Sequence, residues 1–373
     1  MGAFERIEGA IAGATGIDHF GDAFREQRRL AAGDAAVPLD DRTVIEVSGP
    51  ERLGWLDSVT SQALGRLAAG ESTELLVLDP QGHVEHAAGV IDDGETTWLI
   101  ADAGDAEPLA AWLTRMKFRT LATVTVRPDL ALIGYVDGGS IAPAVVAAAS
   151  ATHGAALVWA DPWQRVSAGG HQYAQVDDHP GSSFAWRVAI MTPDAAGTLA
   201  ATLGKDSVAG LLAAEALRVA AWRPRWATEV DERSLPHESD WLRTAVHLNK
   251  GCYRGQETVA KVHNLGHPPR RLAALQLDGS DAVLPAPGDL VFAGDDEVGH
   301  VTSVARHYED GPIALAVLSR RAPAGDLVVR AEGADVAASQ QVIVPADAGA
   351  TADVPRLTRL SRRPTAEDPR GRG

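Results

Sequence analysis

The sequence predicts an α+β protein: two α+β subdomains followed by a small antiparallel β-barrel. Three observations predict this. Strand-like alternation and helix-like spacing are interleaved with hairpin turns through the first two-thirds of the chain, which favours α+β over a doubly wound sheet. Past Pro269 the texture changes to six short alternating runs separated by turn residues, the pattern of a small barrel. A length of 373 residues, 45% of them hydrophobic and 23% charged, is ordinary for a globular chain of two or three domains.

Residues 1–40 read as a mixed N-terminal lead-in, with a short helix over 22–31. The first large region, 41–265, holds both α+β subdomains. Residues 43–47 (TVIEV) alternate as a strand, Gly49 and Pro50 mark a turn, and residues 51–63 place Leu53, Leu56 and Val59 at helical spacing. Strands follow at 73–79, 83–91 and 96–101, the first two joined by the turn Pro80-Gln81-Gly82, then a helix over 106–117 and strands over 124–127 and 131–136. A comparable set comes next: strands at 156–159, 171–176 and 186–191, helices at 194–203 and 208–221. The barrel region, 266–345, carries strands at 272–277, 289–292, 298–305, 313–318, 327–330 and 341–344. Residues 346–373 read as a disordered basic tail, with six Arg against Glu367 and Asp368 over 355–373.

Composition excludes several function classes. With 34 Lys plus Arg against 50 Asp plus Glu, the net charge of −16 rules out a broad basic surface, so no nucleic-acid partner is expected. No apolar run approaches the ~20 residues needed to span a bilayer. The N-terminus lacks the basic and apolar regions of a secretory signal, and the expected location is the cytoplasm. The single cysteine, Cys252, excludes a disulfide framework and a multi-thiolate metal site, and no metal is predicted.

The informative stretch is 244–269, TAVHLNKGCYRGQETVAKVHNLGHPP. Val246 and Leu248 alternate with polar neighbours as in a strand, Lys250 and Gly251 make a turn, and 254–263 reads as a helix stopped by Gly266, Pro268 and Pro269. Cys252 then sits just ahead of a helix N-terminus. The dipole end, Lys250 and Arg254 all favour its thiolate. The alternative is a small buried hydrophobe in a tight junction, the commonest role of a lone cysteine, and both readings stay open at this point. Pairing Cys252 with His263 and His267 around a metal lacks a fourth ligand, and a cysteine-hydrolase triad lacks any local signature.

Lys250-Gly251-Cys252-Tyr253-Arg254-Gly255-Gln256-Glu257 resembles the K-G-C-Y-x-G-Q-E signature of the folate-binding YgfZ family, relatives of the glycine cleavage T-protein. The resemblance extends to residues 218–224 and Ser234-Leu235-Pro236-His237-Glu238, similar to R-I-E-A-G-x-P and L-P-Q-E. Val298-Gly299-His300-Val301-Thr302-Ser303 is similar to the G-x-V-T-S strand of the barrel, and residues 47–64 to the early segment ending T-N-D. Together these cover about 41–344.

The resemblance implies an aminomethyltransferase-like folate-binding fold around a central cavity, tetrahydrofolate or a one-carbon derivative as cofactor, and a role in assembling or repairing iron-sulfur clusters. The implied partners are iron-sulfur proteins or their assembly machinery. In this reading Cys252 is the functional thiol and Lys250 keeps it ionised. Gly251 and Gly255 permit the turn, Tyr253 stacks or hydrogen-bonds, and Gln256 and Glu257 orient the loop or cap the helix. Arg218, Glu238 and Gln62 are the folate-binding candidates, because they fall in matched segments. Two matched positions depart from the T-protein pattern: Gln62 stands where its working Asp would be, and Ala220 replaces the Glu of R-I-E-A-G. Neutral groups there cannot serve as a base or stabilise a cation, which argues against methylene transfer. Whether the chain is an enzyme stays open; a folate-dependent aminomethyltransferase and a non-catalytic scaffold are the alternatives.

Overall fold

The computed structural model describes residues 2–280 and 283–352. The basic stretch 355–373 lies outside the described residues. Three β units meet at one core. In the first, five antiparallel strands take the order Ser72–Leu78, Val84–Asp92, Thr96–Asp102, Arg42–Ser48, Thr123–Arg127. Strand periodicity divides their side chains: Ile45, Val47, Leu75, Val77 and Leu99 point to one side, Val44, Leu76, Leu78 and Ile100 to the other. The first side is covered by the Ala103–Met116 helix, whose Ala106, Leu109, Ala110 and Leu113 recur at i, i+3, i+4 and i+7.

The second sheet has four strands, in the order Val158–Ala160, Trp186–Met191, Ala131–Val136, Ala36–Pro38. Its outer side, with Ile133, Tyr135, Ala189 and Met191, packs against the helices Ala142–Ala148 and Pro193–Thr202. Its inner side, with Leu132, Trp186, Val188 and Ile190, joins the inner side of the first sheet and the Leu211–Ala220 helix. The third unit is a closed six-stranded barrel. Arg270–Leu277 pairs with both Gly311–Ser319 and Ala334–Val342, which closes the ring and leaves no free edge. Leu275, Val291, Val301 and Val329 fill its interior, while Leu272, Ala274, Leu315 and Val317 turn outward onto the shared core.

The predicted class and architecture are therefore observed, with four local corrections. The helix expected over 51–63 is Arg52–Val59, because Thr60 is extended and Ser61 turns away to bond the backbone of Leu76. Residues 171–176 and 246–248 form no strand: their amides bond to loops and to a side chain, Tyr173 N–H to Asp240 and Leu248 N–H to Gly169, so the alternation there records burial without a ladder. The last barrel strand is Ala334–Val342, not 341–344, since its inward residues include the small Ala338 and carry a weak hydrophobic signal. Finally, Ala36–Pro38 of the expected lead-in is an edge strand of the second sheet, with Val37 fully buried. Among the described residues no helix is long and apolar enough to cross a membrane.

Candidate functional site

A cavity of about 280 Å³, partly open to solvent, lies where the two sheets and the Leu211–Ala220 helix converge. That is near the lower end of small-molecule sites. Trp159, Phe184, Trp186, Trp226 and Trp241 supply aromatic walls. Gly89 is what lets Trp159 lie against the first sheet, since a Cβ there would stand 2.7 Å from its indole ring.

The polar part of the lining forms two ion networks. In one, Arg223 donates from Nε to Asp161 at 3.0 Å and from Nη2 to Glu74 at 2.7 Å, and the Trp241 indole N–H donates to the same Glu74 oxygen at 3.1 Å. Burial pushes the Asp161 carboxyl above its ordinary value; Arg223 pulls it down and Glu74 pushes it up further. In the other, Arg225 joins Asp102 and Asp41, each at 2.7 Å, and Arg42 lies 3.2 Å from Asp102. Burial raises Asp102, but Arg42 and Arg225 outweigh it and hold the carboxylate below its ordinary value.

Four buried polar atoms of these networks have no hydrogen-bond partner in the protein: Glu74 Oε1, Arg223 Nη1, Asp41 Oδ1 and Arg42 Nε. All four residues line the cavity. Leaving such an atom unpaired costs about 1–3 kcal/mol, and natural structures leave few of them without a reason. The four atoms are themselves covered; what the lining presents is charged side chains set between aromatic walls, the make-up of a small-molecule site.

The predicted site residues sit elsewhere, with one exception. Arg218 lines the cavity, but its donors are all engaged, with Glu215 at 2.5 Å, Glu229 at 3.0 Å, the Arg223 carbonyl at 2.5 Å and Ser303 Oγ of the barrel at 2.5 Å. It ties the helix to the barrel. Glu229 receives Thr302 and Ser303 as well, which gives the matched V-T-S residues a structural role. Glu238 binds Arg270 at the start of the barrel, and Gln62 donates to the Thr244 carbonyl at 2.7 Å while accepting from Ala63 N–H; neither lines the cavity.

No residue of the 250–257 motif is in the cavity lining. Cys252 is exposed and lies three residues before Gly255, the N-cap of the Gln256–Leu265 helix. The Lys250 ammonium is committed to three carbonyls, those of Asp57, Thr60 (3.0 Å) and Gln62 (2.7 Å), at and just beyond the C-terminal end of the Arg52–Val59 helix. It also lies 5.5 Å over the buried Tyr253 ring. Its chief work is thus to anchor the loop, contrary to the expectation that it serves the thiol. Gly255 does provide the turn, at φ +82° and with a Cβ position 2.6 Å from the Asp79 carbonyl, whereas Gly251 has no positive φ and faces open space. The Gln256 amide donates to the Lys250 carbonyl at 3.2 Å and holds the loop; Glu257 is exposed in the helix's first turn.

Sequence reasoning missed Glu74, Arg223, Asp161, Asp41 and Arg42. One signal was present: Glu74 abuts the apolar run Leu75-Leu76-Val77-Leu78, and a carboxylate on a strand buried on both sides needs a buried partner.

Two α+β sheets that flank a cavity, with a six-stranded barrel packed on the same core, make this an aminomethyltransferase-like fold. The chain superposes on glycine cleavage system aminomethyltransferase T from Bartonella henselae with a TM-score of 0.70, covering 89% of this chain and 92% of that one at 19% identity. Residues 270–346 match the glycine cleavage T-protein C-terminal barrel domain. Two curated relatives match shorter stretches. An Arabidopsis thaliana chloroplastic protein with a provisional transferase name is 32% identical over 120 residues, 31% of this chain and 26% of that protein. The aminomethyltransferase of Methylococcus capsulatus is 31% identical over 137 residues, 35% of this chain and 38% of that enzyme. The matched stretches thus span well under half of either relative's length. The likeness is in fold along most of the chain and in sequence over the barrel domain.

Proposed function

We propose that this chain is a cytoplasmic tetrahydrofolate-binding factor of the YgfZ type, acting in iron-sulfur cluster assembly or repair through the exposed thiol of Cys252. The observation that carries the folate part is the cavity's chemistry. Its lining sets the carboxylates of Asp18, Asp41, Glu74, Asp102, Asp161 and Glu215 against four arginines, between aromatic walls. An acid-rich lining suits a flat ring with several N–H donors, as a reduced pterin has, and disfavours an anionic head group. The anionic tail of a folate would then lie toward the open side. Glu74, Arg223, Asp41 and Arg42 are the residues that would hold the ring, and the bound folate would supply the one-carbon chemistry.

The iron-sulfur part rests on the eight-residue motif, whose one exposed and chemically versatile group is Cys252. Absence of a carboxylate at Ala220 and the structural engagement of Gln62 favour this reading over aminomethyl transfer. The test is the activity of a labile iron-sulfur enzyme such as an aconitase in cells lacking this protein, with wild type or Cys252→Ala returned at matched expression. Restoration by wild type alone is the expected result; no defect in the deleted cells would sink the iron-sulfur role. A tetrahydrofolate titration without saturation at millimolar ligand would sink the folate role.

A further inference from the structure

The Ala103–Met116 helix that covers the first sheet runs into a short turn, residues 117–122, before the edge strand Thr123–Arg127. That turn carries the two most exposed large apolar side chains among the described residues, Phe118 at 87% and Leu121 at 65%, with Met116 before them at 39%. Its backbone is held. Thr120 N–H donates to the Lys117 carbonyl at 2.8 Å, and Leu121 N–H donates to the Glu51 carboxylate at 2.6 Å. Phe118 sits at φ +45°, a left-handed conformation that a bulky residue adopts at a cost and glycine takes freely. A strained backbone that leaves an aromatic ring in water adds nothing to the fold, so the contact it serves lies outside the chain.

The charges of the same segment are all of one sign. Arg115, Lys117 and Arg119 alternate with the apolar residues, and 114–122 contain no Asp or Glu. Among the described residues none of the three makes an ion pair; Arg119 lies 5.4 Å over the Phe118 ring. The dipole at the helix C-terminus accounts for cations there, but not for bare apolar side chains between them. The geometry points to an anionic lipid surface as the partner of this tip: Phe118 and Leu121 enter the head-group region, and Arg115, Lys117 and Arg119 stay at its level against lipid phosphates. A stable protein interface takes about 800 Å² from each side, far more than three apolar residues on a turn supply, whereas lipid closes around a point. The chain then rests on the membrane and spans nothing. Its net charge of −16 opposes the approach, so the attraction acts within a Debye length, about 8 Å at physiological salt, and is salt-sensitive. This inference is independent of the folate and iron-sulfur readings.

The experiment is co-sedimentation of the full-length protein with vesicles of phosphatidylcholine alone, and of phosphatidylcholine and phosphatidylglycerol in equal parts. The expected result is saturable binding to the anionic vesicles, at least about 10-fold weaker on the neutral ones, and lost as salt is raised to about 0.5 M. Phe118→Gly removes the ring and the strain together: vesicle affinity should drop at least about 10-fold while the unfolding midpoint stays close to that of the wild type. Arg115→Gln, Lys117→Gln and Arg119→Gln combined should abolish the preference for anionic vesicles. Failure of the wild type to bind anionic vesicles at low salt overturns the proposal. Full retention of binding in Phe118→Gly also overturns it and moves the contact elsewhere, the Arg-rich stretch 355–373 included. Capture of polyglutamate through the three cations, with the vesicles left free, assigns the tip to an acidic protein and overturns the lipid reading as well.

Discussion

The cavity and the 250–257 loop differ in a way that separates visibility in sequence from availability for chemistry. The loop is eight consecutive residues, and three of its polar side chains are engaged, Lys250 on three carbonyls, Arg254 on Glu85 and the Gln256 amide on the Lys250 carbonyl, while the Tyr253 hydroxyl is buried without a hydrogen-bond partner. Cys252 alone stands exposed with a reactive atom. The cavity is assembled from residues scattered between 15 and 241, and four of its lining residues carry a buried polar atom without a hydrogen-bond partner. The loop is therefore held in place by ordinary hydrogen bonding, while the cavity is walled by buried ion networks.

That comparison predicts the largest loss of stability in the cavity. Arg223→Met removes the guanidinium between Asp161 and Glu74 and leaves two buried carboxylates facing each other. Breaking a buried pair in this way costs about 3–5 kcal/mol, read as a shift of the urea midpoint at unchanged slope.

Next comes acid. His237 is fully buried on the matched Ser234–Glu238 segment, its ring N–H donating to the Val259 carbonyl of the motif helix, and burial holds it at about 4. Unfolded, it would titrate near the ordinary value of 6.5. Between those values the unfolded chain takes up a proton that the folded one refuses, so this histidine's contribution is fully present above the unfolded value and is lost as pH falls toward 4. It amounts to about 3 kcal/mol by pH 4. Asp240, held up at about 7 by burial, works in the opposite direction over the same interval, since folded Asp240 keeps a proton the unfolded chain releases. The measurement is accordingly a difference: the midpoint of His237→Phe should fall less steeply with acid than that of the wild type, and parallel profiles would remove His237 from the account.

In the loop the effects shrink. Lys250→Met strands three carbonyl oxygens around a side chain that is 4% exposed, and should cost about 2–3 kcal/mol. Gly255→Ala meets both a left-handed backbone and the Asp79 carbonyl, for a loss of about 1–2 kcal/mol, whereas Gly251→Ala meets nothing and should be neutral. Equal losses at the two glycines would refute the assignment of the turn to Gly255.

The fold was legible where side chains differ strongly in size or polarity. Period-two alternation at 43–47 and the apolar run within 73–79 located strands of the first sheet, and 106–117 read as its covering helix. It failed where burial and pairing part company. Tyr173 and Val246 are buried among loops, and Ala334–Val342 pairs in the barrel through small residues. The motif was equally legible, and its loop-and-helix setting is observed. Roles within it were not, because the partners of Lys250 lie 188 to 193 residues away in the chain. The cavity was least legible of all: Glu74 and Arg223 are 149 residues apart, and only the fold makes them one site. Trp222 shows the limit from the other side. It stands where the resembled segment has glycine, holds φ at +58°, and is kept there by burial against His179 in the central core.

The smallest effect on stability is the most informative about function. Cys252 is exposed, and Cys252→Ser changes one atom at a position outside the loop's hydrogen-bond scheme, so the unfolding midpoint should move by no more than about 0.5 kcal/mol. Lys250→Met moves it several times further. If the loop exists to present the thiol, both variants lose cluster maintenance in cells, Cys252→Ser at full stability and Lys250→Met through a disordered loop, while both keep the folate affinity of the wild type because neither touches the cavity lining. If Cys252→Ser retains activity and only Lys250→Met loses it, the loop is architecture alone and the chemistry belongs to the cavity.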